Sequence, residues 1–282
     1  MYKIAIFGSE NSHARQFTNY FNKVKAYPEM VVTHVGGDAE GSERLKGMFP
    51  ELIIEDDPYA LIGKVDAVMV TCRDGQYHAK YAKPFIEAGI PVFVDKPFTR
   101  DIKEAEELVE LAKSKNVPLC GGSAVKTAYD ILMLASKVES GENVCGGGII
   151  APVQMQNEYG DFWFYSSHLA EMTLRVFGYN PIEVTATEHN NNVTVVTKYE
   201  KFNVVNHFTN TCRDYHGYVI LDSGIHSRDV DISLIFHHEA EQFAQMVLTG
   251  KMPYTYEQLI MPVRYIKAVE ESFKTNKTVK VL

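Results

Sequence analysis

Two short stretches carry residues whose type and spacing could do chemistry. PVFVDKPFTRD, residues 91–101, sets Lys96 between Asp95 and Pro97 at the end of the apolar run Val92-Phe93-Val94. That run reads as a buried strand, with the lysine standing at its mouth. GDFWFYSSHLAEM, residues 160–172, spaces Tyr165, His168 and Glu171 three apart. A helix covering them brings all three to one face. An imidazole there titrates near working pH and can act as a general base. Glu171 would orient and partly charge it, and Tyr165 would hydrogen-bond a substrate. The plain alternative is a helix-face histidine satisfied by Glu171.

A nucleotide site is suggested by the exit at Lys96 together with those of three other apolar runs. Gly8-Ser9-Glu10-Asn11-Ser12-His13 follows the first of them. A dinucleotide fingerprint would place glycines at 8, 10 and 13, and only Gly8 is present. A carboxylate at 10 repels a pyrophosphate, and His13 stands where a small residue lets helix and strand approach. Asn11 or Ser12 also suits a helix N-cap. Asp38 ends the second strand, where a carboxylate would accept from ribose hydroxyls and favour NAD, with NADP the alternative; a turn residue is the structural reading. Thr71, Cys72 and Arg73 end another strand, and His78 opens the following helix. Ser123 and Lys126 fall just past a sixth strand and could touch substrate, although a helical lysine is usually solvated. Asp222, His226, Asp229 and Asp231 lie on an expected hairpin with alternating faces, so they read as surface residues and no metal is expected.

Elements must hold these groups in place. Strands are expected at 3–7, 30–35, 51–54, 66–71, 91–94 and 117–120, alternating with helical patterns. Alternation of this kind implies a doubly wound parallel sheet, a Rossmann-type α/β domain. Asp101 with Glu104 marks a helix start, and Gly89 a helix end. Pro84 inside the helix from about 77 to 88 predicts a kink or a late start. Past Gly121-Gly122 the rhythm changes to helices near 127–139 and 165–177, strands at 148–156, 182–188, 193–199, 202–209, 216–222 and 225–236, then helices near 238–249 and 256–274. This predicts an α+β domain with a large, mostly antiparallel open sheet. The expected division is 1–122 for nucleotide binding and 123–282 for substrate binding and oligomerisation.

With 282 residues, 45% hydrophobic and 23% charged, the chain suits one large or two ordinary globular domains. A net charge of −8 disfavours a nucleic-acid or anionic-membrane surface. No apolar run nears the ~18 residues of a membrane span. Ile4-Ala5-Ile6-Phe7 is too short for a signal-peptide core, and the four dispersed cysteines form no C-x-x-C pair. A cytoplasmic, reduced enzyme is therefore expected.

The stretch 65–119, with VDAV, His78, EAGIPVFV and Asp95-Lys96-Pro97, resembles the Gfo/Idh/MocA oxidoreductase family, whose motif there is Glu-Lys-Pro. Weaker similarity reaches Phe243, Gly250, Pro253 and Glu257. The resemblance implies an NAD(P)-dependent dehydrogenase acting on a sugar-like or cyclitol-like polyol. Lys96 would reach both nicotinamide and the substrate oxygen, stabilising negative charge as hydride leaves. His168 matches the family's proton-moving histidine, while Phe164 occupies the position of its usual Asp. The pattern Trp163, Tyr165, His168, Glu171 is similar to an aromatic-Tyr-x-x-His-x-x-Glu subgroup. Gly8, Ser9, Asn11, Ser12, His13, Asp38, Thr71, Cys72, Arg73, His78, Asp95, Lys96 and Pro97 would surround the cofactor. Ser123, Lys126, Trp163 and Tyr165 would face substrate. Family members also imply a homodimer or homotetramer built through the second-domain sheet. The rival reading is a binding or sensor protein on the same fold that catalyses nothing, or one that keeps its cofactor bound.

Overall fold

A computed structural model describes residues 1–282. The chain forms two compact units, Met1–Gly122 with Phe236–Ile260, and Ser123–Ile235 with Met261–Leu282.

In the first unit, β1 (Tyr2–Phe7), β2 (Met30–Gly36), β3 (Ile53–Ile54), β4 (Ala67–Val70), β5 (Val92–Asp95) and β6 (Leu119–Gly122) form one sheet in the order β3-β2-β1-β4-β5-β6. Every pairing is parallel. Their apolar, β-branched runs suit burial on both faces, and α1 (Ser12–Thr18), α2 (Ala39–Met48), α3 (His78–Glu87) and α4 (Ile102–Lys115) are the crossovers. Strand order reverses between β1 and β4, so the carboxyl ends of those strands flank the switch point where such sheets bind ligands. Phe17, Phe21 and Phe93 share one buried core with Ala240, Phe243, Ala244 and Met246 of α7 (Ile235–Thr249). Linear alternation gives no hint that this late segment clusters with the first strands.

Local signals set the helix ends. Asp101 accepts from the N–H groups of Lys103 and Glu104 to start α4. Gly89, at φ 79°, follows the end of α3 in the left-handed region. Pro84 neither delays α3 nor ends it. It removes one backbone donor, while Pro84 and its neighbours Phe85 and Ile86 are buried, and that packing outweighs the local cost.

The second unit holds α5 (Tyr129–Val138), α6 (Phe162–Phe177), the Met261–Thr275 part of α8 (Tyr256–Thr275) and a seven-stranded sheet. Its strands are β7 (Val144–Pro152), β8 (Glu183–His189), β9 (Asn192–Lys198), β10 (Asn203–Thr209), β11 (His216–Leu221), β12 (Gly224–Asp229) and β13 (Val279–Lys280), in the order β12-β11-β7-β10-β9-β8-β13. Only β10 and β7 pair in parallel, so the sheet is mostly antiparallel as expected. The first strand runs over 144–152 rather than 148–156, because its three glycines lie inside the ladder. At Gly147 a Cβ would come 2.5 Å from the Phe177 ring, and at Gly148 2.8 Å from Tyr218. The last long strand stops at Asp229 instead of 236, where Asp231 turns to accept from Ser233.

Candidate active site

The Lys-Pro turn at the β5 exit is fastened from several sides. Asp95, fully buried, accepts from the Lys96 N–H (2.7 Å) through Oδ1 and pairs through Oδ2 with His13 Nδ1 (2.6 Å). Burial would raise the Asp95 carboxyl, but the His13 ring and the Lys96 N–H hold it below the usual carboxylate range. His13 thus takes the fingerprint's third glycine position and reaches the residue standing where the family has Glu. The Lys96–Pro97 bond is cis, and the Pro97 carbonyl meets His78 Nδ1 at 2.7 Å. His78 Nε2 lies 2.9 Å from the Cys72 carbonyl. Two carbonyls favour a doubly protonated ring, yet complete burial holds its pKa below the usual imidazole value. His78 therefore ties the β4 exit to the Lys-Pro turn.

Gly75 makes room for that turn, since a Cβ there would lie 2.6 Å from Pro97 Cγ, a ring carbon with little freedom to yield. Gly75→Ala is expected to cost about 1–3 kcal/mol by overpacking, seen as a lowered thermal midpoint. An unchanged midpoint would mean the turn is loosely held.

Lys96 is 4% exposed. Burial pushes its pKa down, Asp95 and Glu239 raise it, and Arg73 lowers it. Glu239, a buried residue on α7, carries no sequence signal that sets it apart from other acidic residues in HHEAEQF.

At the β1 exit, Gly8 has φ 97°, and a Cβ would fall 2.2 Å from the Cys72 nitrogen. Only glycine fits this approach of β1 to β4. Thr71 donates through Oγ1 to the Phe7 and Gly8 carbonyls, and its own carbonyl accepts from Asn11 Nδ2. Asn11, not Ser12, is the α1 cap, accepting from the His13 N–H, while Ser12 is exposed. Ser9 is buried, its Oγ 2.9 Å from the Asp38 carbonyl and 2.8 Å from Ser42 Oγ. Asp38 caps α2 by accepting from the Gly41 N–H through Oδ1. Burial pushes the Cys72 thiol strongly up, so it stays protonated. Glu10, at the second glycine position, accepts from the Arg73 N–H at 2.8 Å. Ser9, Asn11 and Thr71 therefore hold the loop itself.

In the second unit Ser123 joins the two halves of the constellation. Its Oγ meets His168 Nδ1 at 2.7 Å, and its N–H donates to Glu171 Oε1 at 2.6 Å. Glu171 Oε2 pairs with Lys126 Nζ, both residues being 2% exposed. Lys126 is thus a buried ion-pair partner rather than a solvated lysine. The hydrogen bond that orients His168 at Nδ1 comes from Ser123, not from the Glu171 expected in that place. Tyr165 lies edge-to-face on His168 at 5.2 Å between centroids, and Tyr215 does so at 5.9 Å. Burial, with the nearby Tyr165, pushes the Tyr215 phenol up, so it remains a neutral donor. Nothing in the local sequence singles out Tyr215. Trp163 is buried at 5% exposure, and Phe164 packs against Tyr159 and Tyr165.

Asp222, Asp229 and Asp231 have separate partners in Asn143, His216 and Ser233, and no group of three potential metal ligands exists. All four cysteines are free thiols. A groove of about 810 Å³ between α3 and α4 is lined by Lys80, Lys83, Glu104 and Glu107 and by none of the residues expected at the cofactor or substrate. No helix is long and apolar enough to cross a membrane.

Residues 2–122 match the model of the oxidoreductase family with an NAD-binding Rossmann fold known as Gfo/Idh/MocA. Residues 2–122 are thus similar to the NAD-binding domain of that family, in line with the dehydrogenase class and the NAD cofactor expected from sequence. An uncharacterized oxidoreductase, YhhX of Escherichia coli K12, is 30% identical over 127 residues, which are 39% of this chain and 35% of that protein. The match thus spans about a third of that relative. A probable dehydrogenase from Thermotoga maritima superposes with a TM-score of 0.85 at 17% identity, covering 99% of this chain and 98% of that one. Scyllo-inositol dehydrogenase from Lactobacillus casei, crystallised with NAD(H) and scyllo-inositol, gives 0.86 at 15% identity, covering 100% and 99%. Myo-inositol 2-dehydrogenase from Lactobacillus plantarum gives 0.85 at 16%, with the same coverage. These likenesses establish the fold.

The residues present fit a dinucleotide at the switch point in most respects. Gly8 and Gly37 let the β1 exit pack closely against the Cys72 and Gly8 backbone, as a tight phosphate-binding turn requires, and only one Asp38 oxygen is committed to its cap. Glu10 is the departure.

Proposed function

We propose that this chain is an NAD-dependent oxidoreductase that oxidises a secondary hydroxyl of a cyclitol-like or sugar-like polyol. The observation that carries the proposal is Lys96, a buried lysine fixed by Asp95, His13 and the His78-bound turn at the exit of a Rossmann strand. NAD, when bound, supplies the hydride acceptor. Gly8, Asp38 and the loop held by Ser9, Asn11 and Thr71 would hold it, Asp38 favouring NAD over NADP. Lys96 polarises the reacting oxygen, stabilising the negative charge that grows on it as the C–H bond breaks. His168 takes the hydroxyl proton. With Nδ1–H donating to Ser123 Oγ, Nε2 is the basic position, and Tyr165 and Tyr215 confine the ring. Glu171 and Lys126 hold Ser123 rather than the imidazole. The inositol dehydrogenases among the fold relatives support the polyol class.

Following NADH formation at 340 nm over a panel of inositols and aldoses tests the proposal. Turnover with NAD, and weaker turnover with NADP, is the expected result. Binding of NAD without turnover on any polyol would instead favour a catalytically silent binding protein, a reading to which Phe164 and Glu10 lend support.

We further propose a homo-oligomer built through the open face of the second-unit sheet. On that face Val196, Val205, Tyr218 and Ile220 alternate with buried positions, and a partly apolar face of this kind gains from being covered. Light scattering should give a multiple of 31.8 kDa, and a monomeric mass would contradict the assembly.

A further inference from the structure

Glu10 occupies the place of the glycine that lets a backbone approach a pyrophosphate. The loop offers it little room to swing away. The Gly41 backbone lies so close that a Cβ there would sit 2.5 Å from the Glu10 nitrogen, and Arg44 Nη2 donates to the Glu10 carbonyl at 3.3 Å. The side chain is anchored as well, through Oε1 on the Arg73 N–H at 2.8 Å. Its other oxygen, Oε2, is buried without a hydrogen-bond partner. An ionised carboxylate with an unsatisfied buried oxygen is expensive, and the neutral acid costs less.

The charges around it point the same way. Asp38 faces it with a like charge, Arg73 opposes that effect, and the buried Cys72 thiol is uncharged. Burial, the largest cause, raises the Glu10 pKa above the usual carboxylate value, with Asp38 adding to it and the Arg73 N–H bond working against it. A phosphate brought to this loop would add further negative charge.

Resting on the reading of an NAD site at this loop, we infer that the dinucleotide binds to the form of the protein in which Glu10 carries a proton, so that NAD binding is coupled to proton uptake at this single carboxyl. The departure from the glycine fingerprint thereby becomes pH-dependent: the neutral acid presents no charge to the phosphates. By linkage, NAD affinity falls as pH rises, by up to about tenfold per pH unit, between the carboxyl's pKa in the free and in the loaded protein.

The experiment is titration calorimetry of the purified chain with NAD from pH 6 to 9, in buffers of different ionisation enthalpy. Wild type should take up a fraction of a proton per NAD, and its Kd should rise with pH. Glu10→Gln keeps an acceptor for the Arg73 N–H and is neutral at every pH, so its Kd should be flat with pH, tighter than wild type at pH 9, and its proton uptake absent. Glu10→Gly should lose the same proton uptake, and it decides the matter if the glutamine variant does not fold. NAD binding by wild type without proton uptake, or with a pH slope that both variants retain, overturns the inference while leaving the NAD site standing. Absence of NAD binding by wild type and both variants at every pH overturns the NAD reading beneath it as well.

Discussion

Lys96→Met is expected to lower kcat by about 10²–10³-fold while NAD binding is kept within a few-fold. The magnitude is that of removing one preorganised charge donor from an oxygen that becomes negative in the transition state. Methionine preserves the length and apolar stem of the side chain, so packing at the 4% exposed position survives. Asp95 keeps its bonds to His13 and to the backbone N–H at 96. The separation of kcat from cofactor affinity is the informative part. A lysine that merely grips the dinucleotide would weaken NAD binding by the factor lost in turnover, and a solvated lysine would change neither. Steady-state rates together with NAD calorimetry on the same preparation distinguish the three cases.

Glu171→Ala is expected to destabilise the protein by about 3–5 kcal/mol, the cost of breaking a buried ion pair by removing one partner. The carboxylate lies between the Ser123 N–H and Lys126 Nζ, with both ionic residues 2% exposed. Its loss removes the carboxylate paired with the buried Lys126 ammonium and the acceptor that sets Ser123, and through Ser123 Oγ the His168 ring. Combining Glu171→Leu with Lys126→Met removes both charges and should recover much of the stability, because paired apolar replacement of a buried bridge is often neutral or better. Activity should not recover with it, since Ser123 still lacks its acceptor. Urea denaturation with rates at matched folded fractions reads both. A single variant within 1 kcal/mol of wild type would mean the pair is better hydrated than its burial implies.

The parallel sheet was legible because each of its strands is an apolar run ending in a distinctive turn, as at Phe7-Gly8 and Val94-Asp95. Asp101 and Gly89 were readable for the same local reason, a cap chemistry confined to a few neighbouring residues. What escaped were relations across long separations. Tyr165, His168 and Glu171 do share a helix, but His168 and Glu171 are joined through Ser123, 45 and 48 positions away. Helical spacing suggests neighbours on one face and is blind to a serine arriving from a strand exit. Lys126 looked solvated because its partner is equally distant. His13 and Glu10 read as damage to a glycine motif, since their partners Asp95 and Arg73 come from other strand exits. The persistence of α3 through Pro84 reflects burial, which local propensity omits.

The account rests on Lys96 and His168 serving a single oxidation step, and one kinetic measurement addresses it most directly: kcat for Lys96→Met, His168→Ala and the double variant on the best polyol substrate with NAD. Residues acting as a unit are strongly non-additive. Each single variant should therefore lose most of the turnover, with the double variant about as slow as the slower single one. Turnover left unchanged by either substitution, or a double variant slowed by the full product of the two effects, would contradict the account.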